Sequence, residues 1–466
     1  MRGFVVAGTA SGVGKTTITA ALLAAPRARG LIVQPFKCGP DYIDPAHHVA
    51  IAGRPSYNLD TWMMPADTNR SLFFAAAAEA DVAVVEGMMG LFDDVDGHSD
   101  RGSTAEIAKL LGLPVVLIVE ASNAARSVAA VVKGFRDFDP QLRILGVILN
   151  GVAGPAHLSL LREAIAQVDV PVLGAFPRMP DCALSERHLG LVTAGERTWS
   201  AQQVQALADA AEQNIDLNCL LANSEIHDAD TGLAESAKKY GSAQAPVGCL
   251  DGPVRIGVAR DRAFSFYYQS SLDALHAAGA ELTDISPLSD ASLSASLDGL
   301  YLGGGYPEVF AEELAANQPF LQSLREFAAS GRPIYAECGG LMYLSETLTT
   351  RDGQTQPMAS LLPLAIEMLD RLDGFGYTEV ELLDDCLIGD RGSRLRGHSF
   401  HYSRVTRAGN VKQLYRTRQV LTGAENYEGY CAGNVLGSYI HASFAASPDA
   451  ARHFVQNCRQ TRAVAQ

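Results

Sequence analysis

From residue 3 to about 195 the sequence alternates short apolar runs with longer helix-like segments, and that alternation restricts the fold to very few architectures. The runs are Phe4-Val5-Val6-Ala7, residues 31–36, Val82-Ala83-Val84-Val85, residues 114–119 and residues 144–149. Each is nearly continuous in aliphatic side chains, as strands buried on both faces require, and helices between them imply parallel βαβ crossovers. Residues 16–25 and 123–135 are Ala-rich and helix-like, and Thr104-Ala105-Glu106-Ile107 opens a further apolar helix. Between about 196 and 250 the pattern changes. An Ala/Gln helix at 201–213 leads into a polar stretch, and Gly241 to Pro246 reads as a linker. Val254-Arg255-Ile256-Gly257-Val258-Ala259 then starts a second α/β series, with runs at 299–302, 333–336, 377–382 and 436–440. The expectation is a parallel-sheet domain over 1–195, a linker region over 196–252, a second α/β domain over 253–449 and a C-terminal tail over 450–466.

A chain of 466 residues with 37 Lys+Arg against 52 Asp+Glu carries a formal charge of −15. That balance argues against a nucleic-acid partner and against a polybasic membrane surface. It leaves a small anionic ligand open, because a few local cations can hold one. No run of about 18 apolar residues occurs, so no membrane-spanning helix is expected. Met1 to Val6 runs into a strand with no secretory layout, so the expected location is cytoplasmic. Eight cysteines without a CxxC pair argue against a disulfide framework or a zinc knuckle.

Gly8-Thr9-Ala10-Ser11-Gly12-Val13-Gly14-Lys15-Thr16-Thr17 joins the first strand to the first helix. Glycines such as Gly12 and Gly14 let backbone N–H groups turn inward around a phosphate, and the helix N-terminus adds positive potential. Lys15 would reach the β- and γ-phosphates, Thr16 would ligate Mg²⁺, and Thr17 completes the nucleotide loop. The strict spacing wants Gly at 9; this chain has it at 8, the spacing of dethiobiotin-synthetase-like P-loop proteins. Glu86 closes an apolar strand and should face the same crevice as Lys15. Asp41 and Asp44, three apart in a Pro-bounded loop, suit Mg²⁺ oxygen ligation. Lys37 would neutralise phosphate or a substrate carboxylate, although alone it reads as an ordinary surface lysine.

In the second half, Pro333-Ile334-Tyr335-Ala336-Glu337-Cys338-Gly339-Gly340 is a strand, a sharp turn and a helix start. A Cys there favours nucleophilic chemistry. Gly339 can present an unobstructed N–H as an oxyanion donor, and Gly303-Gly304-Gly305 can supply the second, at Gly305. His441, at a late strand end, is the candidate base.

Residues 253 to about 449 resemble the class I glutamine amidotransferase domain of the cobyric-acid-synthase kind, with Cys338 as nucleophile and His441 as base. Most such domains carry an acid two residues after the His. Ser443 stands there, so the chain resembles the branch that works with a Cys–His dyad, and the group orienting His441 is open. The blocks around Phe36 to Pro45, Tyr57 to Met63, Glu86 to Asp93, Pro180 to Glu196 and Arg396 to Tyr402 match the cobyrinic acid a,c-diamide synthase family over nearly the whole chain.

The resemblance implies a P-loop, dethiobiotin-synthetase-like domain fused to a class I glutamine amidotransferase domain. It implies amidation of corrin acetate groups with ATP, Mg²⁺ and glutamine. By motif position it places Asp41, Tyr42, Ile43, Asp44, Glu86 and Asp93 around nucleotide, metal and tetrapyrrole; Lys37 joins the expected substrate side, and Thr16, Asp41 and Glu86 are the expected metal set. Asn150 matches the adenine-reading Asn of dethiobiotin-synthetase-like proteins. Two positions depart from the family, Asp94 for a usual Gly and Gly303 for a common Pro. ATP and a polycarboxylate are both anionic, so binding would rest on Lys15, Lys37, Mg²⁺ and helix N-termini rather than on a basic surface.

Hydrogenobyrinic acid and nickel-sirohydrochlorin are alternative substrates for the same chemistry. A P-loop partitioning-type ATPase with a macromolecular partner, and a binding module with a degenerate glutaminase, are alternatives of a different class. The oligomeric state is open, a homodimer included.

Overall fold

The computed structural model describes residues 1–93, 95–182, 199–226 and 252–465, and these fall into two units, 1–226 and 252–465. The first unit contains β1 (Arg2–Gly8), α1 (Lys15–Ala28), β2 (Val33–Cys38), α2 (Ile43–Ala52), β3 (Tyr57–Leu59), α3 (Ala66–Ala77), β4 (Val82–Gly90) and α4 (Thr104–Leu111). It continues through β5 (Val115–Glu120), α5 (Ser127–Phe138), β6 (Ile144–Asn150), α6 (Pro155–Ile165), β7 (Val172–Ala175), α7 (Ala201–Asn214) and α8 (Leu217–Ala222). Strands line up as β3-β2-β4-β1-β5-β6-β7, with every neighbouring pair parallel. Phe4, Val84, Val116, Leu117 and Ile148 are wholly buried. Helices cover both faces of such strands, which is why their sequences show no polar alternation.

The span expected as a linker, 196–252, is corrected over its described part. Ala20, Ala21, Ala24 and Ala25 of α1 share one buried cluster with Leu207, Ala208 and Ala211 of α7. Small residues on the two helices allow their backbones close approach, and Ser200 starts α7 with a full capping box. Glu225 then bridges antiparallel to Arg2, and the Gly3 N–H donates to Ser224 O at 2.8 Å. The first unit therefore runs on to residue 226. Gly241 to Pro246 lie outside the described residues, as do Asp94 and residues 183–198 of the Pro180–Glu196 block.

The second unit contains β8 (Val254–Ala259), β9 (Phe264–Phe266), α9 (Gln269–Ala277), β10 (Ala280–Ile285), β11 (Gly299–Leu302), β12 (Gly304–Gly305), α10 (Ala311–Ala316), α11 (Gln318–Ala329), β13 (Ile334–Glu337) and α12 (Gly339–Leu344). There follow β14 (Thr347–Thr349), β15 (Thr355–Pro357), β16 (Leu364–Met368), β17 (Gly374–Leu382), β18 (Arg394–His401), β19 (Ser403–Ala408), β20 (Lys412–Gln419), β21 (Glu425–Ala432), β22 (Val435–Ser438), β23 (His441–Ala442) and α13 (Pro448–Ala465).

The main sheet runs β10-β8-β11-β13-β22-β21-β20-β17-β18-β23. It is parallel from β10 to β22 and antiparallel from there to β23. In the parallel half β8, β11, β13 and β22 are written as apolar runs, and in the antiparallel half the run at 377–382 falls within β17. β20, Lys-Gln-Leu-Tyr-Arg-Thr-Arg-Gln, shows why the antiparallel half is harder to read: only Leu414, Tyr415 and Thr417 are buried. A smaller sheet, β15-β14-β16-β19, flanks it.

The segment expected as a tail, 450–466, is also corrected. It is most of α13, and Ala451, Phe454, Val455 and Cys458 are buried in the same cluster as Tyr335 and Leu436. Gly299 is a glycine for this reason, since a Cβ there would lie 2.3 Å from Cys458 Sγ. The described cysteines are all free.

Candidate functional site

The phosphate loop sits between β1 and α1. Gly12 and Gly14 hold φ of 77° and 93°, left-handed values that a side chain disfavours. The glycine at 8 rather than 9 has a local cause. A Cβ on Gly8 would lie 2.7 Å from Val13 Cγ2 and 2.9 Å from Ala10 O, so the loop folds back over this position. Lys15 is buried and donates to Ala10 O at 3.1 Å, lying along the loop. Burial lowers its pKa first and the charge of Lys37 adds to this, while Glu86, Asp44 and Asp93 oppose it. Thr16 Oγ1 donates to Glu86 Oε1 at 2.9 Å, so the hydroxyl and carboxylate expected at the metal lie side by side. Thr17 is half-buried on the first turn of α1.

Asn150 ends β6 and clasps the loop. Its Nδ2 donates to Val13 O at 2.9 Å, and its Oδ1 accepts from the Gly151 N–H at 2.9 Å. Gly14 must lack a side chain here, because a Cβ would stand 2.4 Å from Asn150 Nδ2.

Glu86 is wholly buried, and β4 continues past it to Gly90 rather than ending on it. Strand register sets Lys37 directly beside Glu86. Lys37 is corrected from its reading as a surface lysine: it is 2% exposed. Its Nζ donates to Gly87 O at 2.9 Å. It also meets Asp44 at 3.1 Å, Glu86 at 3.8 Å and Asp41 at 3.9 Å. Burial alone would lower its pKa; Glu86, Asp44 and Asp41 outweigh that and raise it. Three protein carboxylates thus surround the cation.

Asp41 also starts α2, its Oδ1 accepting from the Ile43 N–H at 2.8 Å. Tyr42 and Ile43 are half-buried at that helix start. Asp93 is exposed, and its Oδ2 accepts from the Gly90 N–H at 3.0 Å. The sequence reading missed His48, whose Nε2 lies 2.7 Å from Glu86 Oε2 and whose Nδ1 lies 3.1 Å from Ser56 Oγ. An ionised Glu86 can only accept, so Nε2 donates. Its cue was an i, i+4 relation to Asp44 on one helix face.

The metal expected here can be tested against these donors. Among the described residues no group of three His, Cys, Asp or Glu side chains is arranged to hold an ion. Mg²⁺ does not need one, since it keeps waters and phosphate oxygens and takes one or two hard protein oxygens. Thr16 and Glu86 would fit that need, next to the glycine loop between β1 and α1.

In the second unit three adjacent parallel strands deliver the other site. β11 ends at Leu302 and leads into Gly303-Gly304-Gly305, β13 ends at Glu337 before Cys338, and β22 ends at Ser438 before His441. Cys338 holds φ 48° and ψ −103°, a strained conformation for a non-glycine residue, at a cost of about 1–3 kcal/mol. Its N–H is tied to Ser438 O at 2.7 Å and its carbonyl accepts from Met342 N at 3.0 Å.

The glycines are demanded by contact. A Cβ on Gly304 would lie 2.6 Å from His441 Cε1, and one on Gly339 would lie 3.0 Å from Gly305 N. Gly305 and Gly339, the expected oxyanion pair, are therefore neighbours. Gly303, where the family commonly has Pro, donates its N–H to Tyr267 Oη at 2.8 Å, a bond that a proline cannot make. Tyr267 in turn donates to Ala259 O.

His441 is buried and pairs in register with His398 across β23 and β18. The strands close in because a Cβ on Gly397 would lie 2.4 Å from Ile440 Cγ2. Burial alone would lower the pKa of His441; hydrogen bonds to Cys338 and Glu337 outweigh it and push it up to about 10. His398 goes the other way, to about 3, through burial and the repulsion of His441 and His401. His401, stacked on Tyr439 with centroids 3.8 Å apart, falls to about 4, chiefly by burial.

Glu337 is the residue at this site that the sequence reading passed over. It is 2% exposed. Its Oε2 accepts from Tyr301 Oη at 2.9 Å and stands 3.5 Å from His441 Nδ1. Its Oε1 accepts from Tyr335 Oη at 2.8 Å and from the Ala442 N–H at 3.0 Å. The available cue was an acid at the end of an otherwise apolar, buried strand.

A nucleotide loop on a parallel sheet and a thiol–imidazole pair on a mixed one define a ligase of the glutamine amidotransferase class. Residues 4–192 match the CobQ/CobB/MinD/ParA nucleotide binding domain, and residues 255–449 match the CobB/CobQ-like glutamine amidotransferase domain. The cobyrinate a,c-diamide synthase of Syntrophotalea carbinolica is 45% identical over 459 residues, 98% of either chain. That of Salmonella typhimurium is 40% identical over 459 residues, again 98% of either chain. That of Leptospira interrogans serovar copenhageni is 40% identical over 456 residues, 97% of this chain and 98% of the relative. The chain belongs to the cobyrinate a,c-diamide synthase family. No helix among the described residues is long and apolar enough to cross a membrane.

Proposed function

We propose that the chain amidates the a- and c-acetate carboxylates of cobyrinic acid, drawing nitrogen from glutamine and driving force from ATP, in cobalamin biosynthesis. The observation that carries the reading is the end-to-end relation of this chain to enzymes of that name, supported by the Gly8–Thr17 loop beside Glu86 in one unit and by Cys338 with His441 in the other. Small-molecule substrates are proposed, with no nucleic-acid or membrane partner.

In the second unit, His441 takes the proton of the Cys338 thiol, and the sulfur attacks the amide carbon of glutamine. The oxyanion that forms lies against the backbone N–H groups of Gly305 and Gly339. Ammonia leaves with a proton from His441, and water cleaves the thioester to glutamate. In the first unit, Gly12, Gly14, Lys15, Thr16 and Thr17 bind the phosphates of ATP, and Asn150 reads the adenine while bracing the loop. Thr16, Glu86 and Asp41 would hold Mg²⁺, which would supply charge neutralisation on the phosphates. Lys37, Asp41, Tyr42, Ile43, Asp44 and Asp93 are proposed to line the tetrapyrrole side.

A carboxylate is a poor acyl donor because oxide would have to leave. Phosphorylation of its oxygen converts the leaving group to phosphate, which departs when ammonia attacks the acyl carbon. Each amidation thus consumes one carboxylate and releases one phosphate.

The test is mass spectrometry of products from cobyrinic acid, its metal-free analogue and nickel-sirohydrochlorin, run in parallel with ATP and glutamine. A diamide from cobyrinic acid at the highest kcat/KM supports the reading. A preference for either other acid reassigns the substrate, and ATP hydrolysis independent of every acid overturns it.

A further inference from the structure

We propose that Glu337, the residue immediately before the nucleophile, is the positioning group that orients His441, so that the glutaminase works as a Cys338–His441–Glu337 triad. The inference rests on the glutaminase reading above and deepens it.

A base must present one ring nitrogen to the nucleophile, and the other is then fixed by an acceptor. The position that supplies this acceptor in most related domains, two residues after the His, is Ser443. Its Oγ accepts from the Ala446 N–H at 3.2 Å and so serves the turn before α13. Glu337 meets the requirement from a different strand. Its Oε2 stands 3.5 Å from His441 Nδ1, at the outer edge of hydrogen-bond length, and such contacts tighten when substrate binds. The Cε1–Nε2 edge of the ring packs on Gly304: a Cβ there would lie 2.6 Å from Cε1 and 3.4 Å from Nε2. The acid at Nδ1 and the glycine turn at Cε1 and Nε2 therefore both bear on the ring.

Glu337 is itself fixed. Tyr301, Tyr335 and the Ala442 N–H donate to its two oxygens within 3.0 Å. A carboxylate buried with three donors on its two oxygens is held in one place. The Ala442 bond also ties the acid to the residue after the base, so the strand carrying the nucleophile and the strand carrying the base are locked together at this atom. The other titratable groups facing His441 do not compete for the role. His398 and His401 on β18 are pushed toward neutrality, and Glu428 on β21 is occupied by Ser438 Oγ and the Tyr439 N–H.

The imidazolium formed when His441 takes the thiol proton gains a counter-ion. The proton then passes to the departing ammonia, so no net charge is left on the triad after the thioester is hydrolysed.

The test compares wild type, Cys338→Ala and Glu337→Gln in the full chain, following glutamate release and a thermal melt. Wild type should hydrolyse glutamine and Cys338→Ala should not; any other result overturns the glutaminase reading rather than the role of Glu337. Glu337→Gln should fold and lose about 100-fold or more in kcat for glutamine, with KM changed by less than about threefold, as when a triad acid is neutralised. The limb of the kcat/KM profile that reports His441 should move to lower pH, which loss of a packing contact alone would not do. If Glu337→Gln does not fold, Glu337→Asp is read instead. It keeps the charge but withdraws it by one methylene, and the same fall in kcat is expected. Wild-type kcat with an unmoved pH profile in the folded variant overturns the proposal.

Discussion

Lys37 and Glu86 lie opposite each other on β2 and β4, both buried, with Nζ and Oε1 3.8 Å apart. The pair belongs to a larger balance, because Asp44 and Asp41 also face the same ammonium. Substitution of Lys37 by Met removes the cation and leaves three acids around an apolar stem. Removing one partner from a buried ion pair costs about 3–5 kcal/mol. Lys37→Met should therefore lower the urea midpoint of the first unit, and Lys37→Met with Asp44→Asn should recover part of it. A midpoint equal to wild type in the single variant would contradict the balance.

Cys338→Ser should abolish amidation driven by glutamine and leave amidation driven by added ammonium salt within about twofold of wild type, because the thiol serves only ammonia release. Product formation is followed with each nitrogen donor in turn. Loss of both activities would sink the division of labour between the two sites.

Gly304→Ala places a methyl group 2.6 Å from the His441 ring. The imidazole must shift, and misplacement of a base by about 1 Å costs on the order of 100-fold in rate. Glutamate release should fall accordingly while the ammonia-driven reaction is spared. Gly134→Ala is the control. It lies exposed on α5 with nothing within 4 Å of a new Cβ, and it should stabilise by about 0.5–1 kcal/mol. A Gly304→Ala variant as active as wild type would show that the ring is not gripped by the glycine turn.

The stability of the second unit should fall on both sides of neutrality, through different histidines. His441, raised from 6.5 to about 10, binds its proton more tightly when folded. Its contribution is complete below about pH 6.5 and is lost as pH rises through about 10. His398 and His401, lowered to about 3 and about 4, resist protonation in the fold. The unfolded chain gains protons there as pH falls below about 6.5, so stability drops until about pH 3 to 4. Thermal melts across this range should show both limbs, and His398→Gln should flatten the acid one. An acid limb unchanged by that variant would assign the loss to other groups.

Phe454 on α13 is wholly buried with Tyr335 in one cluster. Phe454→Ala should cost about 3–5 kcal/mol, measurable as a lower denaturation midpoint of the second unit. Little change would mean that α13 is not part of its core.

The features that sequence made legible are those written contiguously. Gly8 to Thr17 carries strand end, loop and helix start in one stretch, and Ile334 to Gly340 does the same for the thiol. The parallel strands were visible because burial on both faces removes polar residues from β1, β4 and β5. What was not visible depends on register between distant segments. Lys37 reads as a surface lysine until β2 pairs with β4 and sets it against Glu86. Glu337 reads as an ordinary strand-end acid until β13 and β22 lie side by side and bring His441 to it. The antiparallel strands β18 to β21 carry alternating polar residues, which by themselves do not distinguish an extension of a large sheet from an independent hairpin.

The adjacency of β11, β13 and β22 has a consequence for when the thiol acquires its chemistry. A ribosome releases Cys338 well before His441, and β22 cannot take its place beside β13 until Val435 to Ser438 have been synthesised. During that interval the polypeptide carries a cysteine without its base, and glutamine is safe from it. On the proposed glutaminase chemistry ammonia release requires β22 and β23 in the sheet, so a chain cut before Val435 is expected to release none.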